Sequence, residues 1–274
     1  MGPAFADDAG LLVQDIGICM MIALRLADYS SAALAYILIT AFVAGLARGF
    51  SGFGSALIFI PLASSMIGPR LASPLLLVID FVAAAPLIPN AWGHTDRRDA
   101  GTMLLGSIVG VPIGAWALTQ MDPLAVRWMI VALIVPMLAL LMSGWRYRGT
   151  PTLGLTAGVG ALAGFFNGVA QVGGPPIVLY WLRDTTAARI VRANIIVFFA
   201  ASSVFTIFSY MIGGVLTTSV IGLAVVTGPA FGVGLWLGSQ MFGLASEETF
   251  RRICYALIAL AALISLPLFD GWLR

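Results

Sequence analysis

The chain has 274 residues, of which 60% are hydrophobic and 9% charged, with a net charge of +2 and a mean hydropathy of +1.02. A soluble domain carries about 25% charge, whereas here apolar runs of about 20 residues, each long enough to cross a hydrocarbon core about 30 Å thick, recur from end to end. A soluble enzyme, a secreted disulfide scaffold, a disordered chain and a nucleic-acid binder are excluded together, which leaves an all-α polytopic membrane protein whose main partner is the lipid bilayer.

Residues 1–30 carry Asp7, Asp8, Asp15, Arg25 and Asp28 around the apolar stretch Leu11–Leu26, which reads as an amphipathic helix lying in the interface. The acidic start MGPAFADDAG is unlike a cleavable signal. The following apolar segments are Ala32–Ala47, Ser55–Ile67, Leu71–Pro89, Ala100–Leu118 and Leu124–Gly144. After the basic string Arg146-Tyr147-Arg148 come Leu153–Phe166, Pro175–Leu182, Ile190–Ile212, Thr218–Gln240 and Ile253–Phe269. Trp92, Trp145, Trp181 and Trp272 fall at segment ends, where interfacial anchors belong. The organisation is transmembrane repeat 1 over 31–145, a cytoplasmic connector over 146–152 and transmembrane repeat 2 over 153–270.

The two halves resemble each other. A shift of 119 positions carries Ala44-Gly45-Leu46-Ala47-Arg48-Gly49 onto Ala163-Gly164-Phe165-Phe166-Asn167-Gly168, and pairs Gly54 with Gly173, Ile58 with Ile177, Arg70 with Arg189 and Val78 with Val197. A shift about three residues larger brings Gly106, Gly110 and Val111 onto Gly228, Gly232 and Val233. Arginine placement puts the loop of His94, Asp96, Arg97, Arg98 and Asp99 in the cytoplasm with Arg146–Arg148, and Arg183, Arg189 and Arg192 on the same side. Arg70, on the outer side, runs against that rule. The passage from Pro151 to Leu182 then enters and returns on one side, so each half reads as a broken helical hairpin followed by three transmembrane helices, the halves forming inverted repeats.

The hairpins turn at Arg48-Gly49-Phe50-Ser51-Gly52-Phe53-Gly54-Ser55 and at Asn167–Pro176. Each glycine costs about 1 kcal/mol in a helix interior, while Pro175 or Pro176 suits the first turn of a new helix. Non-helical backbone at membrane depth survives only where protein buries it or it lines a wet cavity, and matching breaks in two halves point to a transporter's binding site. Helices restarting near Ser55 and Pro175 aim N–H groups into the breaks, an arrangement that favours anions. Arg48 adds a positive charge and a planar fork, at an insertion cost of about 3 kcal/mol. Ser51, Ser55, Asn167 and Gln171 supply neutral hydrogen-bonding groups, and Asn194 and Arg192 stand at the start of the matching segment. The competing reading is that the glycines only let helices pack closely.

Asp80, mid-segment, is either the partner of Arg48 in a static ion pair or a proton carrier. His94, in its charged loop, reads as solvated. Glu247, Glu248, Arg251 and Arg252 read as a solvated loop, and Asp122-Pro123 as a turn into a helix. With one histidine, two isolated cysteines (Cys19 and Cys254) and no lysine, neither a metal nor a cofactor is expected, and a Gly-x-x-x-x-Gly-Lys phosphate loop is ruled out. Gly49-Phe50-Ser51-Gly52 matches the Gly-x-Ser-Gly string of rhomboid-type intramembrane proteases, but no histidine stands on a neighbouring span to activate the serine, so no enzyme is expected.

Ala44–Gly54, Gly164–Pro176 with its Gln171-Val172-Gly173-Gly174-Pro175-Pro176 run, and Arg192-Ala193-Asn194 together resemble the TauE/SafE family of sulfite exporters, also called the toluene-sulfonate uptake permease group. The resemblance extends from about residue 34 onward. It implies a bacterial inner-membrane, multi-pass carrier for sulfite, sulfonates such as sulfoacetate, or related sulfur anions. It also implies substrate contacts at Arg48, Ser51, Gly52, Gly54, Ser55, Asn167, Gln171, Gly173 and Gly174, to which the residue reading adds Pro175 and Asn194. Half one has Gly54-Ser55 where a longer glycine run is common in such proteins, so the substrate within this class stays open. The combined expectation is a secondary transporter working by alternating access, with Asp80 as the proton-coupling candidate. A carrier for an unrelated metabolite, or a channel or scaffold, is the alternative. Transport direction and assembly into a homo-oligomer are left open.

Overall fold

A computed structural model describes residues 29–51, 54–144, 149, 152–181, 188–241 and 247–269. The expected interfacial helix Leu11–Leu26, the string Arg146–Arg148, Trp145, Trp272 and Arg183 lie outside them. The helices are α1 (Ser31–Ser51), α2 (Ser55–Ile67), α3 (Pro69–Ala84), α4 (Ile88–Trp92), α5 (Arg97–Gln120), α6 (Pro123–Met142), α7 (Leu153–Ala170), α8 (Gly174–Trp181), α9 (Ala188–Ile212), α10 (Thr218–Met241) and α11 (Glu247–Ile264). Among the described residues there is no strand, and seven helical stretches are long and apolar enough to cross a membrane.

Local chemistry sets the boundaries. Asp96 caps α5 by accepting from Arg98 N at 3.1 Å and Asp99 N at 3.2 Å. Asp122 accepts from Leu124 N at 2.8 Å with Pro123 at the first position of α6, so the expected turn into a helix is present. Gly68, at φ 78°, lets α2 stop and α3 start at Pro69 with no intervening loop. The segment expected over Leu71–Pro89 is α3, a short 3-10 turn over Ala85–Leu87 and α4. Glu247, Glu248, Arg251 and Arg252 belong to the first turns of α11 rather than to a loop.

Two tightly packed helix pairs organise the bundle, and both join one half to the other. Gly45 and Gly49 of α1 face α10 so closely that a Cβ would stand 2.2 Å from Phe231 O and 2.0 Å from Leu235 O. Gly234 and Gly238 of α10 face Phe42 and Leu46 of α1 in return. In the second pair, Gly110 and Gly114 of α5 meet Ala161 and Phe165 of α7, while Gly164 and Gly168 of α7 meet Ser107 and Val111 of α5. In lipid the backbone approach that small residues permit is the main source of helix affinity.

The two interfaces use equivalent residues. Phe42 and Leu46 shifted by 119 are Ala161 and Phe165; Gly110 and Gly114 shifted by 124 are Gly234 and Gly238. This corrects the register expected for the later helices. Gly228 and Gly232, matched above with Gly106 and Gly110, touch no helix backbone: nothing lies within 4 Å of a Cβ on Gly232. Packing selects the larger offset because only Gly234 and Gly238 face α1. The shift of 119 holds for the helices that restart after the breaks, since Ser55, the first residue of α2, corresponds to Gly174, the first residue of α8.

Contacts also give directions. Residue numbers rise together across α1–α10 and across α5–α7, so each pair is parallel. At the start of α3, Arg70 donates to the carbonyls of Leu118 (3.3 Å), Thr119 (2.6 Å) and Met121 (3.1 Å), so α3 runs antiparallel to α5 and its guanidinium covers the open end of that helix. Buried Arg127 on α6 similarly donates to Ser265 O at 3.0 Å, beyond the end of α11. Trp181, expected as an interfacial anchor, is fully buried and donates Nε1–H to Asp99 Oδ2 at 2.7 Å. Trp92 is exposed and carries Arg97 over its ring, as an anchor would.

Candidate functional site

The breaks fall between α1 and α2 and between α7 and α8. In half one the helix continues through Arg48 to Ser51, past the expected end at Ala47, and α2 starts at Ser55 after Gly54, whose φ of 101° is in the left-handed region. Gly52 and the side chain of Ser51 lie outside the described residues.

The second break shows how the backbone survives inside the bundle. α7 ends with Gln171 in the left-handed region, φ 59°, a conformation uncommon for a residue with a side chain. Four consecutive carbonyls at that end all find donors. Phe166 O accepts from Val172 N at 3.2 Å and Asn167 O from Gln171 N at 3.0 Å. The Gln171 side chain folds back to donate Nε2–H to Asn167 O at 2.9 Å. Tyr210 OH donates to Gly168 O at 2.8 Å and Ser73 Oγ to Val169 O at 3.2 Å. These four carbonyls are thus satisfied by the turn at Gln171 and Val172 together with α3 and α9, as burial away from water demands.

Between the two breaks lies a small cavity. Arg48, Gly54 and Ser55 line it from half one, with Leu76 and Asp80 from α3; Asn167, Gln171, Gly174 and Pro175 line it from half two, with Phe199 and Ser203 from α9. Asp80 and Phe199 sit near the middles of their spans, Pro69–Trp92 and Arg189–Ile212. The shift of 119 maps much of the lining onto itself: Arg48 onto Asn167, Ser55 onto Gly174, Ala56 onto Pro175 and Asp80 onto Phe199.

The charges sit on one wall. Arg48 Nε lies 2.6 Å from Asp80 Oδ1, with the two side chains 14% and 22% exposed. The attraction is that of an ion pair, and among the described residues no donor is aligned on Oδ1 as a hydrogen bond. From half two, Asn167 is 3% exposed; its Oδ1 accepts from Gly173 N at 2.9 Å and its Nδ2 donates to Ser202 Oγ at 3.4 Å. The charged group and its neutral counterpart therefore occupy the same position of the two repeats.

Of the residues singled out above, Arg48, Gly54, Ser55, Asp80, Asn167, Gln171, Gly174 and Pro175 meet in this cavity. Gly173 stands behind it, bound to Asn167. Asn194 does not join them: its Oδ1 accepts from Asp96 N at 2.8 Å, tying the start of α9 to the start of α5. Arg192 is exposed at the start of α9, and His94 places Nδ1 2.9 Å from Asn90 O. The glycines divide by role: Gly45, Gly49, Gly164 and Gly168 are packing residues, while Gly54 and Gly173 belong to the breaks. Leu76, Val172, Phe199 and Ser203 line the cavity without having been marked by type. Applying the shift of 119 to Asp80 would have found Phe199.

The family model described as Sulfite exporter TauE/SafE matches residues 37–264. A protein of Cupriavidus necator described as "Probable sulfite/organosulfonate exporter TauE" is 25% identical over 232 residues, covering 81% of this chain and 90% of that protein. No solved structure matches the chain.

Proposed function

The chain belongs to the sulfite exporter TauE/SafE family, a family of membrane transporters and not of enzymes, and from that premise we propose that it carries a small sulfur oxyanion across the bacterial inner membrane by alternating access. The observation that carries this reading is the Arg48–Asp80 pair, which lines a cavity bounded by equivalent positions of the two halves. Arg48 supplies the positive charge and bidentate geometry suited to a sulfite or sulfonate group. Ser55, Asn167 and Gln171 supply neutral hydrogen bonds to the remaining oxygens.

The halves are proposed as inverted repeats. α5 and α9 run parallel, since Asp96 meets Asn194 at their starts and Thr119 lies against Gly213 at their ends. α10 follows α9 after a short turn and returns antiparallel to it. α1 is parallel to α10 and α7 to α5, so α1 and α7 enter from opposite faces. Rocking one half against the other about a cavity they share exposes it to each side in turn.

Asp80 is the proposed proton site. An incoming anion competes with its carboxylate for Arg48; a proton on Asp80 removes that competitor, so anion and proton occupy the carrier together. The test uses the purified protein in detergent, with thermal unfolding followed against sulfite, sulfate, thiosulfate, sulfoacetate, phosphate and chloride at matched ionic strength. A ligand that binds only the folded state stabilises it by about 2.7 kcal/mol at a hundredfold excess over Kd. A selective shift with a sulfur anion, lost in Arg48→Ala, supports the reading, and equal shifts in both proteins overturn the site.

A further inference from the structure

The two walls of the cavity differ most where the repeat is otherwise best kept. Position 80 and position 199 correspond under the shift that also pairs Arg70 with Arg189 and Val78 with Val197, yet half one carries Asp80 there and half two carries Phe199. Both line the cavity. The Phe199 ring is partly exposed and braced from behind by Phe198, ring centroids 5.6 Å apart and nearly perpendicular, with Phe198 in turn edge-on to buried Trp181. This is a supported apolar surface rather than a loose side chain, and Val172 and Pro175 also line the cavity from half two.

An inorganic oxyanion presents oxygen on every side, and each oxygen taken from water needs a donor. Arg48, Ser55, Asn167 and Gln171 offer donors; the Phe199 ring offers a hydrocarbon face, where an oxygen would lose its water without replacement. A monosubstituted sulfonate, with three oxygens at one end and carbon at the other, matches both walls at once. Resting on the proposed anion site, we infer that Phe199 is the specificity-determining residue of the carrier, selecting sulfonates that bear a short apolar group over inorganic sulfur oxyanions by holding that group against its ring. The charge is bound at Arg48 and the carbon substituent is read at Phe199.

The test is a competition titration on the full-length purified protein, with ethanesulfonate and sulfite as probes. The wild type is expected to prefer ethanesulfonate by about tenfold or more, since one methylene in a fitted apolar pocket is worth at least that much. Phe199→Ser is expected to reduce the preference about tenfold by weakening ethanesulfonate relative to sulfite; Phe199→Leu, still apolar, is expected to keep it. An unchanged ethanesulfonate-to-sulfite ratio in Phe199→Ser overturns the inference. Should the serine variant fail to fold, Phe199→Ala and Phe199→Leu are compared across methane-, ethane- and propanesulfonate: a chain-length optimum that does not move with side-chain volume overturns it equally. Arg48→Ala separates this inference from the reading beneath it. Loss of both probes there, with no ratio change in the Phe199 variants, leaves the anion site standing and removes only the role of Phe199. Failure of the wild type to bind either probe removes the anion site itself.

Discussion

Asn167 and Gly173 are locked together across the second break: Gly173 donates its N–H to Asn167 Oδ1 at 2.9 Å, and a Cβ on Gly173 would stand 2.6 Å from that oxygen and 2.5 Å from Ala163 O. The N–H belongs to the turn leading into α8, so the asparagine oxygen occupies a donor that an anion at that turn would otherwise use. Gly173→Ala is expected to force the amide of Asn167 out of place, cost about 2 kcal/mol of stability and abolish transport. Thermal unfolding and flux into liposomes measure the two effects; full flux in a stable alanine variant would show that the lock is dispensable.

Arg48→Ala leaves the Asp80 carboxylate inside the bundle without the cation that lies 2.6 Å from it. Removing one partner of a pair largely withdrawn from water leaves an uncompensated charge, so the single variant is expected to be destabilised as well as unable to bind anions. Arg48→Ala combined with Asp80→Ala is expected to recover much of the stability and none of the binding. A double variant as unstable as the single one would mean that the pair contributes nothing through its charges.

Asp80→Asn keeps the shape of the side chain and removes its capacity to carry a proton. Anion exchange between two equally loaded compartments is expected to continue, while accumulation driven by a pH gradient is lost. Proteoliposomes with and without an imposed gradient separate these outcomes, and gradient-driven uptake at the wild-type rate would make the aspartate a structural partner of Arg48 only.

The glycines offer a matched pair of substitutions on two helices. Gly110→Val drives a side chain into Ala161 O, 2.0 Å from where its Cβ must sit, and is expected to cost about 3 kcal/mol. Gly232→Ala meets nothing within 4 Å and is expected to stabilise α10 by up to about 1 kcal/mol. The melting temperatures should therefore move in opposite directions; a shift of the same sign would contradict the assignment of the interface.

Much of this organisation can be read locally. The start of α2 at Ser55, the cap at Asp122, and the correspondence of Arg70 with Arg189 follow from residue type and spacing along one strand of text. Trp181 could not be read that way. It sits at a segment end, as an interfacial anchor does, but Asp99, 82 positions away, takes its indole N–H. Asn194 was displaced from the expected site for a similar reason, since Asp96 N claims its carboxamide. Both outcomes depend on which helix ends meet.

Apolar length, glycine and proline placement and a constant offset are properties of the string, and from them follow the lipid environment, the helical class, the two breaks and the correspondence between the halves. Which glycines pack, the offset of 124 for the later helices, the pairing of Arg48 with Asp80 and the place of Phe199 in the cavity lining come from tertiary contacts. The physical reason is that apolar helices look alike in sequence whichever face they turn inward. Their partners are chosen by close backbone approach and by the few polar groups that must find one another away from water.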